Sequence, residues 1–259
     1  MKVERLRFLL YQIGLVAVII VGWQGYVLEF NVPSYILPAP TAIGLALWTD
    51  SQILLANMLV TLYEVSLGFA LGASVGIISA MALLFSKFLR STFYALTVAI
   101  QAIPKSAMAP TIVLWLGIGI YSKIGMVVLI TYFPVFAYAI VGMTAIDPEL
   151  IELLDSMAAT ESQVFVKLRL PHSLYYIIQG FKIALPYSMV GAIVAEFVAS
   201  QAGIGNLILI ASSILDGPRV FAAMVLVSTT SLILYWALAF IEAKVVRWAP
   251  IRQTLLAGA

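Results

Sequence analysis

Residues 147–171 read D-P-E-L-I-E-L-L-D-S-M-A-A-T-E-S-Q-V-F-V-K-L-R-L-P. Asp147 is a good helix N-cap, Pro148 fits the first helical position and Glu149 places negative charge in the first turn. Ile151, Leu154 and Met157/Ala158 recur at helical spacing, which predicts a helix over 148–158. Thr160-Glu161-Ser162-Gln163 has the form of a capping box opening a second short helix. That helix carries an apolar stripe at Val164, Phe165 and Leu168, and Leu170-Pro171 should end it. The expectation is two short amphipathic helices with a turn near Ala159-Thr160. Their polar side is acidic at Glu149, Glu152, Asp155 and Glu161. Helices that lie on lipid headgroups carry Lys or Arg there. Exposed apolar side chains beside acidic ones suit the docking of a soluble protein.

On both sides of this stretch the chain is apolar. Of 259 residues 63% are hydrophobic and 10% charged, and the mean hydropathy is +1.08. Soluble domains are about 45–50% apolar and about 25% charged. A soluble enzyme, a nucleic-acid binder and a disordered chain are therefore excluded, and an all-α polytopic membrane protein is expected. Six spans are expected at 8–28, 57–85, 91–116, 124–146, 173–199 and 220–246, in one transmembrane domain over 1–259. The Met-Lys-Val-Glu-Arg-Leu-Arg start leads into a long apolar run with no A-x-A-like exit, so the first span is read as retained. Pro104, Pro110 and Pro186 interrupt the third and fifth spans.

Loop charge gives the orientation. Lys2, Arg5, Arg7, Lys87, Arg90, Lys167, Arg169, Lys244, Arg247 and Arg252 fall on one side, and Lys123 and Arg219 on the other. The positive-inside rule then puts both termini and the 147–171 loop in the cytoplasm. Trp23, Tyr26, Trp115 and Tyr121 sit near the outer ends, as an aromatic belt would. Pro38-Ala39-Pro40-Thr41 reads as a turn into a short N-capped helix on the outer interface. Gly68, Gly72, Gly76 and Ala80 share one helix face, which predicts close helix packing.

The net charge of +2 gives no electrostatic argument for an anionic partner, and there is no Cys for disulfide, thiolate or Cys-zinc chemistry. The single His172 cannot build a multi-His metal site. Its neighbour Ser173 is not read as a nucleophile, because adjacent residues on a helix point apart and no orienting carboxylate is suitably spaced. Glu64, Lys105, Lys182 and Glu196 lie in or near the spans. Such charges usually face a bundle interior, pair with one another or line a pathway. Glu64 shares the face of Gly68 and should meet another helix. For Glu64 and Lys182 ion pairing and pathway lining stay equally open. Lys105 after Pro104 is assigned to the pathway, and Glu196 to the outer gate. Tyr187 is a candidate for stacking on a heterocycle.

Residues 152–171 resemble the "EAA" loop of ATP-binding-cassette (ABC) importer permeases. Glu152 matches the Glu, Leu168 the apolar position and Leu170-Pro171 the ending, whereas Leu153, Leu154 and Ala158 replace Ala, Ala and Gly. An Ala at 158 is expected to need a negative φ. Pro38-Ala39-Pro40-Thr41, Ile103-Pro104, Ala109-Pro110, Trp115 to Gly119, Phe133-Pro134, and Glu196 with Gly203-Ile204-Gly205 are similar to the nitrate/sulfonate/taurine-type group. The segment from Lys182 to Glu196 resembles permeases for the hydroxymethylpyrimidine precursor of thiamine and for riboflavin.

The resemblance implies the type I importer permease fold and a multi-pass subunit of a bacterial inner membrane. It implies a homodimer working with two cytoplasmic ATPase subunits and an extracytoplasmic solute-binding protein, moving a small solute inward by alternating access. Coupling to the ATPase would fall to Glu149, Glu152, Asp155, Ala158, Thr160, Gln163 and Phe165. The pathway would use Glu64, Lys105, Lys182 and Glu196, and the outer gate Gly203 and Gly205. No G-x-x-x-x-G-K-[ST] loop occurs, so ATP and Mg would bind the partner and this chain would carry no cofactor and no enzymatic activity. The favoured cargo is a pyrimidine or flavin-like heterocycle. The alternatives are a nitrate-, sulfonate- or taurine-type anion by the same mechanism, and an ion-coupled carrier working alone. An intramembrane enzyme lacks a catalytic constellation.

Overall fold

The computed structural model describes residues 2–84 and 103–246. In chain order these form α1 (Lys2–Glu29), α2 (Pro40–Thr49), α3 (Ser51–Leu84), a 3-10 turn (Lys105–Met108), α4 (Ala109–Leu116) and α5 (Ile120–Thr144). There follow α6 (Pro148–Ser156), α7 (Glu161–Val164), a π-helical turn (Phe165–Arg169), α8 (Leu170–Ala199), α9 (Ile204–Ser213) and α10 (Gly217–Val245). No strand occurs among the described residues, and the all-α expectation holds. Among the described residues five helices are long and apolar enough to span a membrane: Leu10–Glu29, α3, α5, the continuous Glu161–Ala199 stretch and α10. The expected third span, 91–116, falls mostly outside the described residues. Its described end is the 3-10 turn after Pro104 followed by α4, with Pro110 in the first turn of α4.

The chain divides into two compact units, one of residues 1–60 and 202–228, the other of 61–201 and 229–259. The second is organised around α5. Gly68, Gly72 and Gly76 of α3 press against it: a Cβ at Gly72 would lie 2.8 Å from Thr131 Cβ and from Val128 O. The small-residue face therefore packs helix to helix, as its spacing predicts. Ala80, Leu83, Phe136, Ala139, Ile140, Met143 and Ile177 join α3, α5 and α8 in one buried cluster. Ala109, Ile112, Met126, Ile130 and Ala195 join α4, α5 and α8 in another.

In the first unit Arg219 Nε donates to Asp50 Oδ2 at 2.8 Å, tying the start of α10 to the α2–α3 junction. The expected outer helix is present as α2, but Thr41 does not cap it. Pro40 starts it, and the Thr41 N–H donates to Gln24 Oε1 at 3.2 Å.

The 147–171 loop forms both helices. Asp147 Oδ1 accepts from Glu149 N–H at 3.1 Å. The capping box closes through Thr160 N–H to Gln163 Oε1 at 2.8 Å and Gln163 N–H to Thr160 Oγ1 at 3.3 Å. Two expectations need correction. Ala158 has φ +55°, not a negative value. The turn that ends α6 requires a left-handed residue, and Ala158 N–H to Asp155 O (2.9 Å) and Ala159 N–H to Leu154 O (3.0 Å) hold it there. Nor does Leu170-Pro171 end the second helix, which runs on into α8. Pro171 has no N–H for a normal turn. The chain widens into the π turn, where Leu170 N–H donates to Phe165 O.

A left-handed alanine costs about 1–2 kcal/mol, part of which glycine returns as unfolded-state entropy. Ala158→Gly should therefore stabilise the protein by about 0.5–1 kcal/mol. Thermal unfolding in detergent should show a midpoint about 2 °C higher; a lower midpoint would contradict the assigned backbone.

Candidate functional site

The loop presents a mixed surface. Ile151 and Leu154 of the predicted stripe are half-buried, Val164 is buried, and Met157 is 70% exposed with Leu150 and Leu153 beside it. Glu149, Glu152, Asp155, Ala158, Thr160 and Gln163 are exposed, and Phe165 is half-buried. The loop thus spends two apolar side chains of α6 on its own protein and leaves three outward among carboxylates. That is the composition of a docking surface.

A cavity of about 480 Å³ lies against α5 and α8 in the second unit. Its walls are residues 103–106, Met126, Ile130 and Pro134 of α5, and Tyr187, Val190 and Val194 of α8. Pro104 turns the chain so that Lys105 starts the 3-10 turn and reaches the cavity. The Lys105 ammonium stands 5.4 Å from the Phe133 ring centroid, and among the described residues it has no ion pair. Pro134 removes the N–H that would bond the Ile130 carbonyl, and both residues are in the wall. The lining combines mostly apolar residues with one ammonium, a serine hydroxyl and a phenol, so polar and apolar surface both face the cavity. Pockets of this kind suit small molecules, with a few polar atoms fixing orientation.

The other charges in the spans have polar or charged partners inside the protein. Glu64 is 1% exposed and pairs with Lys123 of α5. Lys123 Nζ also donates to Ser200 Oγ at 3.0 Å, and Thr61 Oγ1 donates to Glu196 Oε1 at 2.6 Å. Glu196 is likewise 1% exposed. Lys123 is therefore no outer-loop charge but a buried member of this cluster. Its signal is weak in sequence, because the apolar pattern alone places the start of α5 four residues too late.

Lys182 meets Glu242 Oε2 at 2.7 Å, and Gln179 Nε2 donates to Glu242 Oε1 at 2.6 Å. Glu242 lies inside the expected 220–246 span, and counting acids there would have found it. His172 Nδ1 sits 2.7 Å from Gly142 O, so the residue is tied to α5. Gly203, with φ +113°, opens α9 and donates its N–H to Asn57 Oδ1 at 2.9 Å. Gly205 is buried in the first turn of α9.

Paired helices on one loop and a cavity among the spans suit a transport subunit. Residues 72–247 match the family model described as "Binding-protein-dependent transport system inner membrane component". The chain belongs to that family. A "Probable ABC transporter permease protein" of Haemophilus influenzae is 36% identical over 92% of this chain and 96% of its own length. The formylaminopyrimidine transport permease protein of Halalkalibacterium halodurans is 31% identical over 83% of this chain and 86% of its own. The riboflavin transport system permease protein of Chloroflexus aurantiacus is 33% identical over 89% and 87%. In fold, the chain is similar to the crystal structure of an amino acid ABC transporter, with TM-score 0.62 at 14% identity over 79% of this chain and 98% of that one. The chain is thus an ABC importer permease, a multi-pass membrane protein and a transport subunit rather than an enzyme, with ATP hydrolysis in a separate subunit.

In the permease the Glu64–Lys123 pair is deeply buried, with side chains 1% and 8% exposed. Removing one partner of such a pair costs about 3–5 kcal/mol, because the other is left buried and uncompensated. Lys123→Met should lower the unfolding midpoint sharply, and Lys123→Met with Glu64→Gln should recover most of the loss. A double-mutant cycle by thermal unfolding checks this; additive losses would mean that the two groups do not interact.

Proposed function

We propose that the whole chain, 1–259, acts as one permease domain that carries a small heterocycle of the pyrimidine or flavin kind inward by alternating access. Two copies form the pathway. Each docks one cytoplasmic ATPase through Glu149, Glu152, Asp155, Ala158, Thr160, Gln163 and Phe165, and an extracytoplasmic solute-binding protein delivers the cargo. ATP and Mg reside in the ATPase pair, whose closure pushes on the loop. The observation that carries this reading is the α6–α7 pair, with Leu150, Leu153 and Met157 outward among acidic side chains.

The cargo class is supported by the two relatives with heterocycle names and by the cavity at Lys105 and Tyr187. Lys105 and Tyr187 orient the solute, the apolar wall takes its faces, and Gly203 and Gly205 belong to the outer gate. Glu64, Glu196 and Lys182, each partnered inside the protein, hold the pathway helices in place rather than touch the solute. With Lys123 inside the protein, Arg219 is the one outer-side cation left from the loop count, which strengthens the placement of both termini in the cytoplasm of a bacterial cell.

The test uses the permease co-expressed with its ATPase and binding protein. Reversing Glu152 and Asp155 to Arg should abolish co-purification of the ATPase. Lys105→Ala should keep the ATPase bound yet lower uptake of labelled hydroxymethylpyrimidine or riboflavin at least about tenfold, the loss expected for one charge-assisted contact. Uptake by vesicles holding the permease alone would refute the reading. Competition by taurine but by neither heterocycle would replace the cargo class with an anion.

A further inference from the structure

The coupling loop leaves the membrane from α5 and returns into α8, and its two limbs are joined at the base. α5 ends at Thr144, so its last-turn carbonyls have no further helical N–H to accept from. Arg169 Nη1 donates to Met143 O at 2.9 Å, and His172 Nδ1 donates to Gly142 O at 2.7 Å. Both donors come from the returning limb, Arg169 at the end of the π turn and His172 in the first turn of α8. A cation at a helix C-terminus also has the favourable sign for the helix dipole. Gly142 lets the limbs close: a Cβ there would lie 2.6 Å from Tyr176 Cβ and 2.9 Å from Ser173 Cα.

The π turn sits between the coupling helices and this junction. Its hydrogen bonds are wider than those of an α-helix, which makes it the place where a push on the loop would bend the chain. The left-handed Ala158 and the non-helical Ala145, with φ −80° and ψ +56°, are further hinges around α6. A loop with three soft points and an open base would absorb displacement. Two side-chain bonds and a glycine contact across the base remove that freedom.

We propose that Arg169 and His172 form a clamp that closes the coupling loop into a stirrup, so that displacement of α6 moves α5 and α8 together. Both are positioning residues: they act through the backbone of α5 and touch neither solute nor nucleotide. The clamp rests on the reading of the loop as the ATPase handle.

The test uses the complete transporter reconstituted with its ATPase and binding protein. The chain has no cysteine, so Ser156→Cys with Val141→Cys confines the permease's spin labels to those two positions in each copy, and the short distance within one copy is read, with cysteine-free partner proteins. In the otherwise unchanged protein the label distance should stay the same on adding ATP. In Arg169→Ala the distance should shift with ATP. There the ATPase should still co-purify and hydrolyse ATP, and uptake per ATP should fall about tenfold, as for one lost charge-assisted hydrogen bond. Arg169→Lys, which keeps one donor, should recover part of the coupling. His172→Phe, which keeps a ring without a donor, should uncouple in the same direction and decides the matter if Arg169→Ala does not assemble. Wild-type uptake per ATP in both variants would overturn the clamp. So would lost uptake with an unmoved label distance and no recovery in Arg169→Lys. Failure of the ATPase to co-purify with the unsubstituted chain would instead refute the loop reading, and the clamp with it.

Discussion

Apolar helices in hydrocarbon gain nothing by hiding from lipid, so close backbone approach has to organise this chain. That approach centres on α5. The glycines of α3 bring its backbone against Val128, Thr131 and Tyr132, and Gly142 brings α8 against the far end of α5. Dispersion between such closely packed surfaces replaces the hydrophobic term that holds a soluble core together. Half of the apolar window of α5 is buried inside the protein, against none of that of α10. The cavity and the 147–171 loop both adjoin this central helix.

The same hydrocarbon penalises charge, and the protein treats its charged groups in two ways. Glu64, Lys123 and Glu196 are withdrawn into α3, α5 and α8 with hydroxyl partners at Thr61 and Ser200. Lys182, Gln179 and Glu242 form a second neutralised set. Such pairs add little net stability over an apolar substitute, but they fix which helix faces which. Lys105 is handled differently. It borders an aromatic ring and a cavity, and among the described residues it has no ion pair.

The loop shows how local chemistry and mechanics meet. Asp147, Pro148 and the Thr160–Gln163 box fix where the short helices begin. Because their ends are set by caps, the apolar side chains not spent on the permease itself are presented at fixed positions. The left-handed Ala158 sets the angle between the helices, and the π turn lets the second continue into a span despite Pro171. A loop built this way is regular within each helix and less regular between them, and Arg169 and His172 tie its base to the end of α5.

The class of the protein, five of its spans and the short helix pair of 147–171 are legible in the order of residues alone. These depend on short-range quantities: hydropathy over about 20 residues, capping residues at fixed offsets, and glycines spaced by four. Residue order also marked Lys105 as distinct, because a cation directly after a proline is a local signal. The partners emerge only on folding: Lys123 belongs to Glu64, Lys182 to Glu242, and Arg169 and His172 to the end of α5. Those residues are 59, 60 and about 26–30 positions apart, and no periodicity within one helix encodes which face of another it will meet. The φ of Ala158 was settled in the same way. Alanine prefers the right-handed region, and it is the two backbone bonds closing the turn that hold it on the other side.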